Sequence, residues 1–144
     1  MILLDASGLV AALTGEPAAR KVETILRGGE AAIPAPNLAE AMDVLVRVMR
    51  NPLEAVKVRL QPLLLAALPV LPVGEAEASR GAEIRIRHYH RRRSPLSLAD
   101  CFLVGTAALL NASIATSDEP LAKCAVQESL HVVALEDSTG RRPV

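Results

Sequence analysis

At 144 residues, 51% of them hydrophobic, the chain has the length of one domain and the apolar content for a real core, of the kind that buries roughly 70% of its unfolded surface. Its 16 basic and 16 acidic side chains cancel, which argues against a nucleic-acid binder that works through overall charge. One Tyr and one Phe, with no Trp, argue against single-strand recognition by stacking.

The elements follow in chain order. "MILLD" is a short apolar run of strand length, and "ASGLVAALTG" reads as a helix ending near Gly15. "PAARKVETILRGG" is a second helix, with Pro17 at its start and glycines at its end. "AAIP" is a brief strand. "NLAEAMDVLVRVMR" is strongly helical, with Leu38, Ala41, Met42, Leu45, Val46 and Met49 on one stripe. After the Asn51-Pro52 break, "PLEAVKVRLQPLLLAAL" continues as a helix that Pro62 must kink or divide. "PVLPV" reads as a strand whose prolines place it at a sheet edge. "GEAEASRGAEIRIRHYHRRR" is a polar-faced helix, and "SLADCFLVGTAALL" a helix apolar almost all round, as suits the middle of a sandwich. "ASIATSD" is a strand, "EPLAKCAV" a short helix, "HVVAL" a last strand, and residues 136–144 read as a flexible tail after a single domain spanning 1–135.

Cys101 and Cys124 show no metal-type spacing and sit in apolar or helical contexts, the pattern of reduced thiols filling a core. The apolar runs fall short of the ~18 to 20 residues that span a bilayer, and Asp5 interrupts any leader-like start. The expectation is a cytoplasmic protein with no membrane partner.

Strands alternating with helices imply right-handed crossovers and a mainly parallel sheet covered on both faces, a three-layer α/β/α sandwich. In such a sheet ligands bind beyond the carboxyl ends of the strands. Four acids share that address: Asp5 ends the first strand, Glu40 and Asp100 stand in the first turns of helices, and Asp118 follows "SIATS". Each taken alone is explained as a helix cap or a favourable dipole partner worth about 1 kcal/mol, and Ser97 to Asp100 is a capping-box pattern. Glu40 also points almost opposite the apolar stripe of its helix, although first-turn side chains tilt back toward the helix N-terminus. It is the set, and the burial expected for Asp100, that suggests a site.

Asp5-Ala6-Ser7 after an N-terminal strand, Asn37-Leu38-Ala39-Glu40 opening a helix, Leu96-Ser97-Leu98-Ala99-Asp100 opening another and Thr116-Ser117-Asp118 after a late strand resemble, in order and spacing, the PIN domain. More narrowly, they resemble the VapC-type toxins of toxin–antitoxin pairs. The resemblance spans Met1 to about Leu135 and implies a PIN-like fold and an endoribonuclease that uses Mg²⁺ or Mn²⁺. Its catalytic acids would be Asp5, Glu40, Asp100 and Asp118, with the metal on Asp5, Asp100 and Asp118. Ser7 and Thr116 match small polar positions beside the pocket. Asp43, one turn beyond Glu40, is the alternative for that position. An antitoxin partner and a homodimer are also implied, with the Leu-rich helix from Leu53 to Leu68 as a candidate contact surface.

The chemistry is coherent without the resemblance. At an effective dielectric near 20, two carboxylates about 4 Å apart repel by ~4 kcal/mol, so four cannot gather without protons or cations. Oxygen-only ligands select a hard ion, and a water on that ion can attack phosphorus in line. No 2′-hydroxyl nucleophile is needed, so a 5′-phosphate and a 3′-hydroxyl are expected; RNA as the substrate comes from the resemblance.

Of the 16 basic residues, Arg80, Arg85, Arg87, Arg91, Arg92 and Arg93 fall in one stretch with His88 and His90. Arg85, Arg91 and Arg92 are candidate contacts to RNA phosphates, since guanidinium forks suit them. The other reading is the solvated face of a helix, with both histidines on the surface and nothing paired to them. Two further classes fit the residues less well. A haloacid-dehalogenase-like phosphatase wants a second Asp where Ser7 stands, and a non-catalytic PIN-like binding module would have lost some of the four acids.

Overall fold

The computed structural model describes residues 1–143. Five strands form one wholly parallel sheet in the order β3-β2-β1-β4-β5. The strands are β1 (Ile2–Leu4), β2 (Ala31–Pro34), β3 (Val70–Leu71), β4 (Ser113–Thr116) and β5 (Val132–Ala134). The helices are α1 (Ala6–Thr14), α2 (Ala19–Arg27), α3 (Ala35–Asp43), α4 (Leu53–Ala66), α5 (Glu75–His88), α6 (Leu98–Leu110) and α7 (Glu119–Gln127).

Strand parity builds the three layers, because successive side chains leave a strand on opposite faces. Leu4, Ala31, Ile33 and Ala115 face one core, with Leu9, Val22, Leu45, Val56 and Leu60 from α1 to α4. Leu3, Ala32 and Ile114 face the other, with Ile84, Leu103, Val104 and Leu121 from α5, α6 and α7. The two prolines around β3 leave it only two residues long at the sheet edge, as the sequence predicts.

Three elements differ from expectation. The helix after β2 is α-helical only to Asp43 and then widens into a π-helical turn, Val44–Val48. Asn51 takes up the Leu45 carbonyl that this turn exposes, through its side-chain amide at 2.9 Å and its backbone N–H at 3.2 Å. The arginine-rich helix α5 stops at His88 instead of running through Arg93, because His90 and Ser94 pair backbone to backbone and fold residues 91–93 into a turn. Helix α6 buries its middle but not its ends, and Leu98, Leu109 and Leu110 are about half exposed.

Helices α5 and α6 cross closely. A Cβ at Gly105 would lie 2.9 Å from the Gly81 backbone nitrogen, so these two glycines set the spacing. After β5 the chain is organised by Asp137, whose Oδ1 accepts from the backbone N–H of Thr139 and Arg141 and from the Thr139 hydroxyl. Val144 lies outside the described residues. No helix among them is long and apolar enough to cross a membrane.

Candidate functional site

The sheet order reverses between β1 and β4: the chain winds outward to β2 and β3 on one side, then returns to β4 and β5 on the other. Such a switch point opens a crevice at the carboxyl ends of the two central strands. Asp5 follows β1 there and Ser117 follows β4, and both line a cavity of about 410 Å³.

Asp5 is buried and held from every side. It caps α1 by accepting from the Gly8 N–H at 2.8 Å. The Ser7 hydroxyl donates to Oδ1 and Oδ2 at 2.8 and 2.9 Å, and the Thr116 hydroxyl donates to Oδ2 at 2.5 Å. Thr116 in turn accepts from the Asp118 N–H at 2.9 Å, so one hydroxyl ties the two strand ends together. The Ser117 hydroxyl donates to Ser7 at 2.9 Å and extends the network.

The other predicted acids reach the same cavity. Asp100 and Ser97 form the reciprocal capping box of α6: Asp100 Oδ2 accepts from the Ser97 N–H at 2.8 Å, and Ser97 Oγ accepts from the Asp100 N–H at 3.0 Å. Asp100 is half-buried, less than the sequence suggests, because the cavity opens over it. Asp118 caps α7 through the Leu121 N–H at 2.8 Å. Glu40, which the apolar stripe turned toward solvent, is half-buried and faces the cavity from α3. Asp43 lies outside it, exposed and paired with Arg47 at 2.9 Å. Thr116 sits beneath the cavity, wholly buried, through its bond to Asp5.

Sequence reading missed three polar lining residues. Glu16 reaches the cavity from the turn after α1, and Asp137 and Ser138 from the turn after β5. The signal for the last two was the parallel direction of β5, which delivers its following residues to the same sheet edge, together with the Asx-turn pattern Asp137-Ser138-Thr139-Gly140. Six carboxylates therefore line the cavity, and no Lys, Arg or His does among the described residues.

The electrostatics register this crowding. Burial pushes the Asp5 carboxyl up to about 6; the Thr116, Gly8 and Ser7 bonds oppose that rise and the Asp100 charge adds to it. Asp100 is raised by burial, opposed by Ser97, and raised further by Asp118. Glu40 is raised by burial and then by Asp100 and Asp118. The acids thus feel one another's charge, as they must if they share a solvent-filled space.

A hard divalent cation fits this donor set, which is oxygen throughout. Among the described residues no three such side chains are drawn into a closed ion site. Asp5, Asp100 and Asp118 each give an oxygen to a helix cap. Mg²⁺ suits an open arrangement of this kind, since it keeps several waters and takes only one or two carboxylates directly.

The predicted basic contacts lie elsewhere. Arg85 donates to the Leu96 carbonyl at 2.9 Å and covers the Tyr89 ring at 4.2 Å, bracing the loop before α6. Arg91 and Arg92 are exposed in the turn and do not line the acidic cavity. The histidines are not unpaired: His88 Nε2 meets Glu128 Oε1 at 2.6 Å, and His90 Nδ1 accepts the Arg92 and Arg93 backbone N–H groups.

A family model described as the PIN domain matches residues 2–127. Among solved structures, the chain is similar to FitAcB from Neisseria gonorrhoeae at 23% identity, covering 92% of this chain and 96% of that one with a TM-score of 0.66. It is similar to VapBC2 from Rickettsia felis, bound to a DNA fragment from their promoter, at 17% identity over 92% of this chain and 98% of that one, TM-score 0.69. It is also similar to VapC20 from Mycobacterium tuberculosis, a sarcin-ricin loop cleaving toxin, at 15% identity over 85% and 94%, TM-score 0.69. These likenesses are ones of fold. No curated protein matches the chain.

Proposed function

Because the chain belongs to the PIN domain family, we propose that it is a metal-dependent endoribonuclease and the toxin of a toxin–antitoxin pair. The observation that carries this reading is the cavity at the β1/β4 switch point, lined by six carboxylates and by no basic residue among those described. A site so charged calls for cations, and a phosphodiester in the presence of Mg²⁺ or Mn²⁺ supplies the missing oxygen ligands.

Asp5, Asp100 and Asp118 would hold the ion. An ion bound there would lower the pKa of a coordinated water and offset charge on the phosphate. The protein's own residues set the rest. Ser7 and Thr116 fix the Asp5 carboxylate, the Ser97 N–H fixes Asp100, and the α7 cap fixes Asp118. Glu40, held above the usual carboxylate range by burial and Asp100, is suited to take the proton of the attacking water at its carboxylate. The products would be a 5′-phosphate and a 3′-hydroxyl. Ser7, a donor to Asp5 where a haloacid-dehalogenase-like phosphatase would have its second Asp, weighs against that alternative.

The cognate antitoxin and a homodimer belong to the same proposal. Val58 and Leu65, seven positions apart on one side of α4, are 70% and 81% exposed. The working compartment would be the cytoplasm. The test is RNA cleavage by the purified chain with Mg²⁺ or Mn²⁺, its arrest by chelator, and its loss in Asp5→Asn and Asp100→Asn with circular dichroism unchanged. Normal cleavage by those folded variants would remove the mechanism.

A further inference from the structure

The acidic cavity carries no positive side chain among the described residues to hold a polyanion, so side-chain cations for a substrate strand must lie beyond it. Along α7, from Pro120 to Gln127, lies a second cavity, of about 430 Å³, to which Arg87, His90, Arg93 and Lys123 also contribute. The two cavities share that helix as their divide. Asp118, its cap, faces the acidic one, while Pro120 and Lys123 face the basic one. Five residues of helix advance about 7.5 Å, so an extended strand leaving one cavity reaches the other within a short step.

The basic cavity is built by its own contacts. Glu128, whose side chain is 6% exposed, accepts from Arg87 at 3.1 Å, His88 at 2.6 Å and Arg80 at 3.3 Å, and this fixes the end of α5 against the end of α7. The paired backbones of His90 and Ser94 present Arg93 on a closed turn. His90 Nδ1 is occupied as an acceptor, so the neutral ring carries its proton on Nε2 and offers a donor. Lys123 keeps a partner in Glu119, but at an exposed site where such a pair is weak and exchangeable.

We propose that the Arg87, His90, Arg93 and Lys123 cavity binds the phosphates of the substrate strand next to the scissile bond, and so positions single-stranded RNA across the acidic cavity. This rests on the nuclease reading. It differs from the contacts expected from sequence at Arg85, which is engaged by the Leu96 carbonyl. A phosphate track is favoured over an acidic protein partner by two features. The cavity borders the same helix as the acidic one, and it has guanidinium forks without an unengaged aromatic platform, Tyr89 being covered by Arg85.

The test uses the full chain carrying Asp118→Asn to stop turnover, with Mg²⁺ present, and a single-stranded RNA oligonucleotide as probe. Adding Arg93→Gln and Lys123→Gln, both at exposed positions, should weaken RNA binding at least tenfold. The slope of log affinity against log salt should fall by roughly 1.4, about 0.7 per lost phosphate contact. Arg27→Gln, on the opposite face of the sheet, should change neither. If the double variant binds RNA with unchanged affinity and slope, the proposal is wrong even where the parent chain cleaves RNA. It is equally wrong if the double variant loses affinity only for a polyglutamate peptide. If the double variant loses RNA while the unmodified chain cleaves nothing, the binding site stands and the nuclease reading falls.

Discussion

Thr116 Oγ1 at the end of β4 donates to Asp5 Oδ2 at the end of β1, across the two central strands and 111 positions of sequence. The same oxygen accepts the Asp118 N–H, so the hydroxyl sets where two of the acids stand. A hydrogen bond to a charged group is worth about 1.5–3 kcal/mol, and this one favours the ionised form. Thr116→Val, which keeps the volume and removes the hydroxyl, should raise the Asp5 pKa by about one unit or more. The acidic limb of the pH–rate profile for RNA cleavage should move up by the same amount. An unmoved limb would mean that Asp5 does not set it.

Asp5 also ties stability to pH. Its pKa is 3.8 unperturbed and about 6 in the fold, so the native state binds more protons between those values. The folded form is therefore favoured below the lower value and loses that advantage as pH rises through about 6. The shift corresponds to about 3 kcal/mol at 1.36 kcal/mol per unit. In chelator, urea denaturation of Asp5→Asn and the parent should diverge in favour of the variant by up to that amount between about pH 4 and pH 7. Parallel curves would contradict the assignment.

Gly105→Ala should destabilise by about 1–3 kcal/mol in urea denaturation, because its methyl meets the Gly81 backbone at 2.9 Å. Without that contact the same change in a helix stabilises by up to about 1 kcal/mol, so the sign alone decides.

Burial pushes the Cys124 thiol up to about 12, and Cys101 is raised by burial as well. Both side chains are almost fully covered. Neither should react with an aromatic disulfide reagent until the chain unfolds, when both react. Labelling of the native protein would show that the α6/α7 core opens.

Much of this was legible in the chain. The order of strands and helices, the helix between Ser97 and Leu110 and the edge position of the proline-flanked β3 follow from periodicity and breakers, which are local. Glu40 is named by its place in the first turn of a helix, whereas the apolar stripe alone points it to solvent, because a helical wheel locates only the face that meets the core. Here the opposite face of α3 looks into a cavity completed by α6, not into bulk water. Arg85 and His88 were read as surface groups because their partners, Leu96 and Glu128, lie 11 and 40 positions away. Asp137 was lost in the tail, since only the direction of β5 brings it to the site. The π-turn after Asp43 left no signal in the apolar stripe, which continues through it.

The central claim, that acids gathered at the switch point form one cation site, is tested most directly by titrating Mn²⁺ into the metal-free chain. The free ion would be followed by electron paramagnetic resonance. The parent should bind one or two ions; Asp100→Asn, with its capping position still filled, should weaken binding at least tenfold, and Asp43→Asn should bind as the parent does. Undiminished binding by folded Asp100→Asn, or a loss on Asp43→Asn alone, would contradict the claim.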